Sequence, residues 1–91
     1  MDTVHKRVRV RGKVQGVYFR ASAREEALSL RLTGLVRNEP DGSVCAEVQG
    51  TTEAVDAFIA WCGHGPERAV VLEVRVTDVP IERFTGFLIE R

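Results

Sequence analysis

Valines at positions 4, 8, 10 and 14 alternate with polar and charged residues, with Lys6 breaking the series. A period of two predicts a strand over roughly residues 4–13 with one wet face. The pattern then changes. Ser22-Ala23-Arg24-Glu25 fits a capping box, in which Ser22 and Glu25 satisfy each other's amides at a helix start. Ala23, Ala27 and Leu30 follow at helical spacing, so an apolar stripe runs to about Leu32 before Gly34 ends it.

Two short strands are predicted at about 35–39 and 43–49, joined by Glu39-Pro40-Asp41-Gly42. Proline presets φ at the second turn position and glycine accepts a positive φ at the fourth, which is a hairpin signal. Val44, Ala46 and Val48 share one face of the second strand; Cys45, Glu47 and Gln49 share the other. Thr51 or Thr52 caps a second helix, with Glu53 in its first turn and Val55, Phe58, Ile59 and Cys62 on its apolar stripe. Gly63, Gly65 and Pro66 end that helix. A strand over about 69–78 presents Val70, Leu72, Val74 and Val76 on one face, and Phe84 to Ile89 forms a short fifth strand.

The order β-α-β-β-α-β plus a last strand predicts two interlocked split β-α-β units, because crossovers are right-handed. The expected fold class is α+β: a ferredoxin-like sandwich with an antiparallel sheet of four to five strands and two helices on one face. That fold hosts many functions and selects none.

Composition narrows the picture only by exclusion. Ninety-one residues predict a single domain over 1–91. Thirteen basic residues balance thirteen acidic ones, so no overall field favours nucleic acid or anionic lipid. No apolar run approaches a membrane span, and the first ten residues lack a signal-peptide core, so a cytoplasmic location is expected. Cys45 and Cys62 read as free thiols, and His5 and His64 as structural or solvent-facing, without partners at metal spacing. Near-zero charge and no spare amphipathic helix point to a monomer.

One segment has the makings of a site. Gly12-Lys13-Val14-Gln15-Gly16-Val17-Tyr18-Phe19-Arg20 leads from strand to helix start, where backbone amides are unpaired and the helix dipole is positive. The planar fork of Arg20 can hold two phosphate oxygens. A solvated arginine beside a glycine turn explains these residues more simply, if nothing else is considered. Lys13 adds field or merely ends a strand. Of Tyr18 and Phe19, one packs beneath the loop and Tyr18 shapes its rim.

The nine-residue pattern G-x-V-Q-G-V-x-F-R after a valine-rich strand resembles the acylphosphatase signature. A second motif of that family, G-x-V-x-N before a D-G turn, matches Gly34-Leu35-Val36-Arg37-Asn38 and Asp41-Gly42. The resemblance covers essentially the whole chain, including Gln49-Gly50 and Gly65-Pro66. It implies hydrolysis of an acyl phosphate, a small-molecule substrate, to carboxylate and inorganic phosphate, with no cofactor and no metal. It further implies that the amides of Gln15, Gly16, Val17, Tyr18, Phe19 and Arg20 cradle the phosphoryl group, that the Arg20 side chain binds it, and that Asn38 orients the attacking water. Two positions depart from the family: Arg31 stands where glycine is usual and Leu35 where tryptophan is usual. Arg31 either adopts a left-handed conformation or the helix ends differently.

Three other functions are weighed. An RNA-recognition module needs exposed aromatics on the middle strands, which offer only Val8, Val10, Val44, Ala46 and Val48. A metal chaperone needs two cysteines in one loop. An acylphosphatase-like domain that binds an anion such as carbamoyl phosphate without independent turnover shares the motifs, but occurs inside larger proteins.

Overall fold

The alternation at the start of the chain folds as expected. In the computed structural model, which describes residues 2–90, β1 (Thr3–Lys13) buries Val8 and Val10 completely against the helices. The half-buried Lys6 that interrupts the series reaches Asp78 at 3.6 Å. The remaining elements are α1 (Phe19–Ser29), β2 (Thr33–Asn38), β3 (Val44–Thr51), α2 (Thr52–Cys62), β4 (Val70–Asp78) and β5 (Phe87–Glu90). They form one sheet in the order β4-β1-β3-β2-β5 beneath two helices. The core joins Val8, Val10, Val36, Val44 and Val48 of the sheet to Ala23, Ala27, Val55 and Phe58 of the helices.

Four strands pair antiparallel, as predicted. The fifth corrects the all-antiparallel expectation: β5 lies parallel to β2, with Val36 opposite Ile89, and the sheet is mixed. The cause is a strap. Residues 79–86 cross from one sheet edge to the other over the face opposite the helices. His5 on β1 contacts the Pro80 carbonyl at 2.6 Å, Gln49 on β3 donates to the Glu82 carbonyl at 2.7 Å, and the Gly34 amide on β2 donates to Gly86 at 3.0 Å. The strap covers His5 and Glu47, Arg37 lies over Cys45, and all of Val44 to Val48 is buried rather than alternating.

A bulge corrects β4. The pairing with β1 shifts between Arg11 and Gly12, leaving Leu72 as the extra residue. One inserted residue flips every side chain beyond it. Val74 and, beyond the bulge, Val71 therefore pack on the core, while Val70 and Leu72 are exposed. Glycine is required at the bulge: a Cβ on Gly12 would lie 2.1 Å from the Val70 carbonyl oxygen.

The two ends of α1 compare differently with the sequence expectation: the start departs from it, and the left-handed end at Arg31 is one of the two outcomes expected. The expected capping box at Ser22 does not form; the N-cap of α1 is Tyr18, four residues earlier, and the Ser22 amide donates to Tyr18 at 3.0 Å. Phe19 wins this competition by burying its ring against Trp61, with ring centroids 5.3 Å apart, and against Gly65. At the other end, Arg31 takes φ 60°. Its amide donates to Leu28 at 3.0 Å and the Leu32 amide to Ala27 at 2.9 Å, a Schellman motif with arginine in the usual glycine position.

Candidate active site

The loop between β1 and α1 is built to leave amides open. Gly16 has φ 76° and Tyr18 φ 64°, flanking Val17, which is not left-handed. Such alternation turns successive N–H groups into one concavity that suits an anion. Tyr18 then serves as the N-cap of α1, yet no side chain caps the helix. The amides of the first turn, from Phe19 on, thus keep their hydrogen-bonding capacity at the positive end of the dipole. A tyrosine in this conformation is strained by roughly 1–3 kcal/mol. Burial of Val14, Val17 and Phe19 on either side holds it there.

Arg20 is the second residue of α1 and continues the stripe of Ala23 and Ala27 towards the open end of the helix. No ion pair among the described residues involves it, whereas Arg7, Arg9, Arg11, Arg37 and Arg75 each have a carboxylate within 4.0 Å. Asn38 is the last residue of β2. By strand alternation it shares the helix-side face of buried Val36, while Arg37 turns to the opposite face. There Arg37 meets Glu39 at 2.7 Å, Glu90 at 3.7 Å and Glu47 at 3.9 Å. Alternation alone explains why the asparagine, and not the neighbouring arginine, reaches the cleft.

Arg20 and Asn38 line the same cleft of about 440 Å³, with Gly16, Tyr18, Phe19 and Ala21. Val14 and Ile89 add an apolar wall. Ile89 arrives through the parallel strand pair, a contribution that no local sequence signal announced. Of the six residues expected to supply amides, Gly16, Tyr18, Phe19 and Arg20 line the cleft directly; Val17 is buried beneath it, and Gln15 turns its side chain towards the hairpin.

That hairpin forms as its sequence predicts. The Gly42 amide donates to Glu39 at 3.1 Å, and Asp41 Oδ1 accepts from the Ser43 amide at 3.0 Å and hydroxyl at 2.6 Å. These bonds hold the Asp41 carboxyl below its ordinary pKa. Glu39 is half-buried against Arg37. The two cysteines are free and buried, and burial raises both thiols, so neither offers a ready nucleophile. His5 has neighbours that its sequence context hid: Glu47 Oε1 at 3.0 Å, Glu82 at 3.9 Å and the Phe84 ring edge-on. Buried with its nitrogens engaged, it tethers the strap.

Fold and cleft define the class: a small α+β sandwich with an uncapped helix N-terminus and Arg20 lining one cleft. The chain belongs to the acylphosphatase family, whose profile matches residues 6–89. An acylphosphatase of Aeropyrum pernix is 56% identical over 86 residues, covering 92% of this chain and 85% of that protein. The solved acylphosphatase structure from Coxiella burnetii has a TM-score of 0.94 at 34% identity, covering 98% of this chain and 94% of that one. Full-length HypF, solved in a phosphate- and nucleotide-bound form, contains a similar fold (TM-score 0.89, 26% identity). The match covers 99% of this chain but 12% of HypF.

Proposed function

We propose that this cleft hydrolyses acyl phosphates, with Arg20 and the loop amides binding the phosphoryl group and Asn38 orienting the water. Membership of the acylphosphatase family makes the chain an acyl phosphate hydrolase. The observation that carries the residue roles is the convergence of an uncapped helix, Arg20 and Asn38 on one cleft.

The chemistry fits these groups. Water attacks phosphorus in line as the bond to the acyl oxygen breaks. Charge spreads over three phosphoryl oxygens, which the guanidinium and amides stabilise. The leaving carboxylate needs no proton, so the donor set requires no general acid. Asn38 has a carbonyl to accept from water but cannot take its proton. The proton passes to a phosphoryl oxygen of the substrate, which leaves as inorganic phosphate. A pH–rate profile governed by an enzyme group titrating near neutrality would contradict that last step. In this scheme no metal or cofactor takes part.

The alternative of an anion-binding domain without turnover is not favoured, since relatives matched over most of their own length carry the acylphosphatase name. Among the described residues no helix is long and apolar enough to cross a membrane. We place the chain, as one domain, in the cytoplasm as a monomer acting without nucleic acid. The strand residues of the strap-side face include arginines and carboxylates, and the His5 ring among them is buried under the strap, which disfavours base stacking.

The decisive experiment is steady-state hydrolysis of benzoyl phosphate by wild type, Arg20→Ala and Asn38→Ala, with and without chelator. Each substitution is expected to lower kcat/KM by about 10²–10³. Chelator is expected to change nothing. Undiminished turnover in both variants would refute the assigned roles.

A further inference from the structure

We propose that the side chain of Gln15 is a positioning residue, clamping the phosphate loop to the turn after Asn38 so that water and phosphorus stay in line. This rests on the roles just given to the loop and Asn38, and adds a residue that acts through them.

The sheet leaves a gap at the site. The ladder between β1 and β3 ends at Val10 opposite Val44, and that between β2 and β3 ends at Asn38 opposite Val44. Past these pairs, no strand pairing joins the 14–18 loop to the 38–43 turn. Yet the reaction needs one segment to hold phosphorus and the other to hold the nucleophile.

Gln15 spans that gap. Its Nε2 donates to the Glu39 carbonyl at 2.9 Å and to the Ser43 carbonyl at 2.9 Å. Both partners are pure acceptors, so the NH₂ end of the amide must face them. They are also the two carbonyls that close the turn: Glu39 O accepts from Gly42 at 3.1 Å, and Ser43 O from the Glu39 amide at 2.8 Å. Gln15 therefore grips the frame of the turn, one residue from Asn38, while buried Val14 anchors its own backbone. Among the described residues these are the only side-chain hydrogen bonds between the loop and the turn. The ion pairs of Arg9 and Arg11 with Asp41, both at 3.8 Å on exposed groups, reach the turn only from the opposite face.

The chemistry selects glutamine. Two donors on one planar nitrogen match two carbonyls. Glutamate offers no donor when ionised, and asparagine stands one methylene short. The backbone amides of the cradle do not depend on this side chain, so phosphate binding and water placement should separate.

The test is a double-mutant cycle with benzoyl phosphate as substrate and inorganic phosphate as competitive inhibitor. Gln15→Met keeps the side chain's length and removes both donors. It is expected to lower kcat by about 10–100-fold, the scale of a 1 Å misplacement, with the phosphate inhibition constant shifted by less than about twofold. Added to Asn38→Ala, the same substitution should change kcat by less than about twofold, because its effect passes through Asn38. Gln15→Asn, which keeps the amide, repeats the cycle should the first variant not fold, with a smaller loss expected. Equal losses with and without Asn38, an undiminished kcat, or a phosphate constant that rises in step with the kcat loss would each overturn the clamp. Should Asn38→Ala alone leave kcat intact, the assigned role of Asn38 fails and the clamp with it. A loss at Asn38 without one at Gln15 refutes the clamp only.

Discussion

The two helices of this protein begin in opposite ways. Helix α2 starts at Thr51, whose hydroxyl accepts from the Ala54 amide at 3.2 Å, with Glu53 in the first turn facing the positive end of the dipole. Helix α1 starts at a left-handed tyrosine, with no side-chain cap and no acidic residue in its first turn. Both helices have eleven residues and pack on the same sheet face. One spends its terminal amides on its own stability, and the other holds them open in a cleft beside Arg20. Where a fold forgoes a cap it could have had, the unsatisfied end is the place to look for a ligand.

The contrast can be broken most sharply by putting negative charge where α1 lacks it. After the losses expected at Arg20, Asn38 and Gln15, the next largest effect is expected for Tyr18→Asp. Aspartate tolerates the left-handed conformation, but its carboxylate would repel phosphate at the cradle's mouth. Inhibition by inorganic phosphate should weaken about tenfold, the upper range for a charge at a helix end. Unchanged inhibition would mean that the anion does not sit there.

The same end of α2 supplies the counterpart. Thr51→Ala should cost about 1 kcal/mol of stability in denaturant unfolding and leave kcat/KM unchanged. A fall in activity without a fall in stability would erase the distinction between the two starts.

A smaller effect, opposite in sign, is expected where α1 ends. Arg31→Gly should raise the free energy of unfolding by up to about 1 kcal/mol, and the midpoint with it, because glycine adopts φ 60° without a Cβ penalty, offset by its greater freedom when unfolded. An unchanged or lower midpoint would show that the arginine side chain compensates its own strain.

The smallest effect concerns the turn beyond Asn38. The Ser43 hydrogen bonds lower the Asp41 pKa in the folded state. A depressed carboxylate contributes stability above its unfolded pKa, and that contribution is lost as pH falls through the folded value. Thermal melts at descending pH should therefore show wild type losing slightly more than Asp41→Asn on the acid side. Parallel acid limbs would deny Asp41 that role.

Much of the site could be read before any fold was known. The alternation that buries Val36 also sends Asn38 to the helix side, and the Pro40–Gly42 turn formed where its residues demand it. The uncapped helix could not be read this way. Ser22 and Glu25 make a plausible local cap, and nothing nearby says that Phe19 has a better use for its ring among Trp61 and Gly65. The Leu72 bulge was equally hidden, since Val70, Leu72, Val74 and Val76 read as one alternation, and the register shift is set by the neighbouring strand. Gln15 offered only a backbone amide to a sequence reader; its side-chain partners lie 24 and 28 residues away.

By itself the sequence determined the elements, the buried face of most strands, the hairpin and the two motifs that hold Arg20 and Asn38. These rest on short-range rules, in which a residue's neighbours within one turn or one pleat decide its conformation. Tertiary structure decided where α1 begins, that β5 runs parallel to β2, and that Ile89 and Gln15 complete the surroundings of the cleft. Those outcomes depend on burial and hydrogen bonds between segments far apart in the chain, and such long-range packing overrides a local preference worth about 1 kcal/mol.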